Sequence, residues 1–107
     1  MTNIEKQISI QINALKRIKK DINMYEEEVN NQTNKVNFMK ENNEDKYDIK
    51  KQEEILEESH MMIPNSKKRL QTFIEKLYSL LEENENIPDE LRDEALAIIN
   101  LVNVYFC

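Results

Sequence analysis

The residues that most often carry chemistry are sparse in this 107-residue chain: one histidine, His60, one cysteine, Cys107, and no glycine. A zinc site of the usual kind needs several Cys or His ligands, and neither residue has a companion of its own type. His60 therefore reads as an exposed structural histidine. Cys107 cannot close an internal disulfide, so nothing asks for an oxidising compartment. As the final residue it is also misplaced for a prenylation box, and it reads as a frayed, exposed thiol. The absence of glycine removes the Gly-rich phosphate loop, the dinucleotide fingerprint and the nucleophile elbow. Carboxylates abound, as in Glu53-Glu54 and Glu57-Glu58. Acid–base work needs them convergent in a water-excluding pocket, whereas this spacing suits a solvated helix face. Asn31-Gln32-Thr33 matches a glycosylation acceptor. It falls inside a helical pattern, in a chain whose first residues lack the apolar core of a signal peptide. The expectations are no catalytic residue, no metal, no cofactor, no small-molecule substrate and a cytoplasmic location.

The charges point to partners instead. Lys16, Arg17, Lys19 and Lys20 sit among Ile12, Leu15, Ile18 and Ile22 as a basic amphipathic stretch. Its apolar side coincides with a helix-packing seam, so membrane binding would require unfolding. A basic patch facing an acidic partner is the functional reading, and a solvated helix face the plain one. The whole chain carries a net charge of −6. Residues 1–42 are net +1, 43–83 net −3 and 84–107 net −4. Such an acidic balance suits nucleic acid poorly. No window approaches the length and apolarity of a transmembrane span.

The elements that position these groups are helices. Good helix formers dominate, while valine and threonine are scarce. Counted by sevens, Ile8, Leu15, Ile22, Val29 and Val36 form one apolar series. Ile4, Gln11, Ile18, Tyr25, Gln32 and Met39 form its partner. This a/d seam predicts a helix over about 3–41, about 60 Å long. Asn42-Asn43 tolerate the left-handed backbone that ends a helix, and Asp45 suits an N-cap. The count resumes with Ile49, Leu56, Ile63, Leu70 and Leu77, paired with Gln52, Ser59, Ser66, Phe73 and Leu80, over about 46–83. Pro64 interrupts hydrogen bonding but not the heptad phase, which predicts one kinked helix rather than two. The asparagines of Asn84-Glu85-Asn86 can supply the second reversal in the same way; Pro88 then suits a first helical turn, and Leu91, Ala95, Ile98, Val102 and Tyr105 continue a helix over about 88–106.

The expected architecture is a single all-α domain over 1–107, an antiparallel three-helix bundle with coiled-coil-like packing. Short loops place the third helix beside the end of the second and the start of the first. That half should hold extra apolar residues such as Ile12, Ile74 and Leu81. The two-helix half carries Gln32 and Gln52 on its seam and should be the softer end. Tyr47 and Met61 fall at outermost positions, where exposed apolar side chains often mark a binding surface. A monomer and a homodimer are both compatible with this pattern.

The run Tyr47-Asp48-Ile49-Lys50-Lys51-Gln52, Glu54-Ile55-Leu56, Glu58-Ser59, Met61-Met62-Ile63-Pro64 resembles the signature of the tubulin-binding cofactor A family. Arg69-Leu70 continues it. In the first helix Lys16-Arg17, Lys20, Met24-Tyr25-Glu26 and Glu28 are similar to the family pattern, while Ile18 and Asp21 depart mildly from it. The third helix matches poorly. The resemblance implies a three-helix bundle that binds β-tubulin released from the cytosolic chaperonin and holds it before it joins α-tubulin. It implies no enzyme chemistry and a cytoplasmic, cytoskeleton-associated chaperone. Candidate contact residues are Lys16, Arg17, Lys20, Tyr47, Lys50, Lys51, Glu54, Glu58 and Met61, with Pro64 structural. The alternative is a coiled-coil scaffold or self-association module unrelated to tubulin.

Overall fold

The computed structural model describes residues 2–106, and Cys107 lies outside them. The fold is all-α: α1 (Asn3–Glu41), α2 (Lys46–Glu83) and α3 (Asp89–Val102), followed by a 3-10 turn over Asn103–Phe106. Each end of these helices has a local cause. At the start of α1 the Thr2 amide donates to Glu5 Oε2 at 3.0 Å, and the Glu5 amide donates to Thr2 Oγ1 at 3.2 Å. This reciprocal capping box satisfies two otherwise orphaned donors. Its Thr-x-x-Glu pattern was present in the sequence.

The first reversal uses asparagine where glycine is usual. Asn43 has φ 52°. Its amide donates to Lys40 O at 3.2 Å, and the Glu44 amide reaches back to Met39 O at 3.1 Å. That pair of bonds is a Schellman motif closed by a left-handed asparagine. Asp45 then caps α2, its Oδ1 accepting from the Tyr47 amide at 3.1 Å.

The second reversal differs from the sequence expectation. Asn43 is the one positive-φ residue among those described, so Asn84 and Asn86 supply no left-handed turn. Side chains close this corner instead. Asn84 Nδ2 donates to Leu80 O at 2.8 Å. The Arg92 guanidinium donates to Leu81 O at 3.4 Å and to Asn84 O at 3.1 Å, covering the open carbonyl end of α2. Pro88 is the N-cap of α3 rather than part of its first turn, with φ −54° and ψ 137°. Its carbonyl accepts from the Arg92 amide at 3.0 Å. Asp89 and Glu90 follow at the positive end of the helix dipole.

The helix ending at Val102 tightens into the 3-10 turn, a common way to finish an α-helix. Pro64 lies inside α2, which continues through it as one helix. Pro64 cannot donate to the His60 carbonyl, and its ring is exposed.

Two compact units divide the chain: Met1–Lys20 with Lys67–Cys107, and Asp21–Ser66. The first contains the start of α1, the end of α2 and α3. Its buried core includes Ile8, Ile12, Leu15, Leu70, Leu77 and Ile99, each no more than 1% exposed. Ile74, Leu81, Ile87, Ala95, Ile98 and Val102 widen it, as three packed segments require. The second unit is a two-helix hairpin. Its buried apolar residues are Ile22, Val36 and Met39, while Tyr25, Val29, Ile49, Leu56 and Ile63 are only half-buried. A helix with one neighbour cannot hide a wide stripe, so Ile55 and Met62 remain exposed here.

Candidate partner-binding surface

Within the hairpin unit the recurring spacing of the candidate residues defines a stripe. Tyr47, Glu54 and Met61 are seven apart, and Lys51 and Glu58 follow the first two by four. At about 100° per residue all five fall within a sector about 80° wide on the outer side of α2. All five are exposed. Tyr47 and Met61 are 63% and 59% exposed, so water covers most of two large apolar side chains. Lys51 Nζ lies 4.7 Å from the centroid of the Tyr47 ring, an i,i+4 cation–π pair that orients both groups. Lys50 is also exposed, but its register turns it away from Lys51 and toward the other side of the helix.

Lys16, Arg17 and Lys20 belong to the other unit and are exposed there. The patch is partly neutralised from α3: Lys16 Nζ stands 3.4 Å from Glu94 Oε1. Both side chains are about half exposed, 54% and 53%, so solvent screens the pair. The sequence pattern did not connect Lys16 with Glu94, because residues 78 apart meet only through the fold.

Grooves flank the hairpin on both sides. One side is lined by Glu28, Glu58, Ser59, Met61, Met62 and Asn65. Nearer the α1–α2 turn the groove is lined by Lys35, Phe38, Asp48, Lys51 and Gln52, among others. The opposite side carries Thr33, Asn37, Lys40, Glu53, Glu57 and His60. Across it Lys40 Nζ lies 3.9 Å from Glu53 Oε1, a weak exposed pair. His60 is exposed, and no group of three His, Cys, Asp or Glu among the described residues is placed to hold a metal.

Met24 and Phe38, neither of them among the candidate contact residues expected from the sequence, are 45% and 63% exposed. The signal was available, since both occupy the same off-seam heptad position fourteen residues apart.

Fold and surface together define a class: a small helical protein whose distinctive chemistry lies on an exposed, mixed apolar and charged face of paired helices. The sequence pattern described as Tubulin binding cofactor A matches residues 3–99. Human Tubulin-specific chaperone A is 37% identical over 100 residues, covering 92% of this chain and 93% of the human protein. The crystal structure of tubulin folding cofactor A from Arabidopsis thaliana is 34% identical, with a TM-score of 0.83 over 97% of this chain and 99% of that one. A solved structure described as Rbl2p, a β-tubulin binding post-chaperonin cofactor, is 30% identical. It superposes with a TM-score of 0.73 over 91% of this chain and 98% of that one. The chain belongs to the tubulin binding cofactor A family, a family of tubulin chaperones.

Proposed function

We propose that this protein captures β-tubulin after its release from the cytosolic chaperonin and holds it until it joins α-tubulin. The observation that carries this reading is the near full-length likeness to a β-tubulin binding post-chaperonin cofactor. The large apolar side chains left in water on the hairpin unit support it, because a holding chaperone must offer such surface to an unassembled subunit. Among the described residues no helix is long and apolar enough to cross a membrane.

The work is done by binding alone. A rigid helical face covers a client surface, and the complex persists until α-tubulin displaces it. No nucleotide, metal or bond-making step enters this scheme. Tyr47, Lys51, Glu54, Glu58 and Met61 are the contact residues that share one outer stripe. Lys16, Arg17 and Lys20 provide a separate basic patch. The protein acts in the cytoplasm, beside the cytoskeleton it supplies. Separated tubulin subunits offered to the immobilised chain test the proposal: preferential retention of β-tubulin supports it, and equal retention of both subunits refutes it.

A further inference from the structure

The hairpin unit has two unlike sides. Heptad register places Met24 with Phe38 on α1, and Ile55 with Met62 on α2, on the side whose grooves contain Glu28, Lys35, Lys51 and Glu58. All four apolar residues are large and at least 40% exposed. The opposite side, around Thr33, Asn37, Lys40, Glu53 and His60, has no exposed large apolar residue. Solvation alone gives no reason for this one-sidedness. A solvated two-helix unit would carry polar residues on both sides, as one side here does.

Charge narrows the occupant. Residues 21–34 and 52–66 hold eight Asp and Glu and not one Lys or Arg. Lys40 approaches Glu53 on the polar side. Glu28 and Glu58, on the apolar side, have no ion-pair partner among the described residues. The groove between them is lined by thioethers and carboxylates. Flexible methionines adapt to varied apolar shapes, and carboxylates await a cation. Toward the turn, Lys35 and Lys51 are offset by Glu44 and Asp48. A second copy of this chain would bring the same excess of carboxylates to the interface and leave it unneutralised.

We propose that the side of the hairpin bearing Met24, Phe38, Ile55 and Met62 is the client-docking face, and that it receives a helical segment of the client with an apolar stripe and a Lys or Arg seated between Glu28 and Glu58. This rests on the reading that the client is β-tubulin and deepens it by assigning the surface. Helix-in-groove docking of this kind uses anchors spaced at i, i+3, i+4 and i+7. The assignment separates Lys51 and Glu58, which border the face, from Lys50, which does not.

The test is the affinity of the full chain and its variants for β-tubulin at low and high salt, with circular dichroism as the folding control. Phe38→Ser with Met62→Ser should weaken binding about tenfold or more, the loss expected for central apolar anchors. Glu28→Lys with Glu58→Lys should weaken it by about as much at low salt and flatten the salt dependence. Asn37→Ser with Glu57→Lys, on the polar side, should stay within about twofold. Full affinity in both docking-face variants, with folding intact, would overturn the assignment while leaving β-tubulin as the client. Failure of the unaltered chain to hold β-tubulin would overturn the client reading itself. Methionine-methyl NMR of the chain alone adds a further arm: concentration-dependent shifts confined to Met24, Met61 and Met62 would give the face to a second copy and overturn the proposal.

Discussion

Gln32 Nε2 donates to both oxygen acceptors of Gln52, the side-chain Oε1 at 2.7 Å and the backbone carbonyl at 3.1 Å. The pair is half-buried and joins the facing positions of the two hairpin helices. A polar pair on a packing seam contributes little net stability, but an apolar substitution of one partner leaves the other's groups unmet. It also penalises a shifted register, which would bury both amides without partners. Gln32→Leu alone should therefore destabilise the protein by about 1 kcal/mol, whereas Gln32→Leu with Gln52→Leu should recover most of that loss. Thermal melts of the four proteins in the cycle measure the coupling, and additive effects would show that the two side chains do not stabilise one another.

A contrasting case is Gln11, which is 5% exposed with its Oε1 buried and unpartnered. No protein hydrogen bond offsets the desolvation of that oxygen. Gln11→Leu should raise stability by about 1 kcal/mol. A lower melting temperature would mean that this amide has a role the packing does not show.

The helix-dense unit and the hairpin should differ in stability. Leu70 is wholly buried in the unit that contains α3, and Leu70→Ala should cost about 2–5 kcal/mol. Leu56 is only half-buried in the hairpin, so Leu56→Ala should cost less. Amide hydrogen exchange should follow the same order, with faster exchange in 21–66 than in the central turns of the other unit. Uniform protection across both units would contradict this division.

Much of this organisation was legible in the sequence because heptad spacing responds directly to burial. Ile8, Leu15, Ile22, Leu70 and Leu77 were read from period alone, and each is buried. The left-handed turn was legible too, since Asn43 stands where glycine is otherwise needed. The second corner was not. Its closure depends on Arg92 reaching carbonyls eight and eleven residues away, and no local pattern encodes that reach. The exposed apolar residues were half legible: Tyr47 and Met61 stand out on the outer side of α2, but the asymmetry between the two sides of the hairpin emerges only when α1 is laid against α2.

The two corners can be tested separately. Asn43→Ala should cost about 1–2 kcal/mol, because a Cβ-bearing residue without a polar side chain resists positive φ. Asn43→Gly should be neutral or mildly stabilising. Arg92→Met should free the carbonyls of Leu81 and Asn84 and cost about 1.5–3 kcal/mol, the range for hydrogen bonds to charged groups. Denaturant midpoints of the three variants check both statements, and equal loss for Asn43→Ala and Asn43→Gly would show that backbone conformation is not the cause.

Capture of β-tubulin by the intact chain is the activity on which the proposed function rests. Its most direct test is equilibrium binding of the purified protein to chaperonin-released β-tubulin and, side by side, to α-tubulin prepared in the same way. β-Tubulin should form a complex that dissolves when α-tubulin is added, and α-tubulin alone should form no comparable complex. Equal binding of both subunits, or binding of neither by a folded chain, would contradict it.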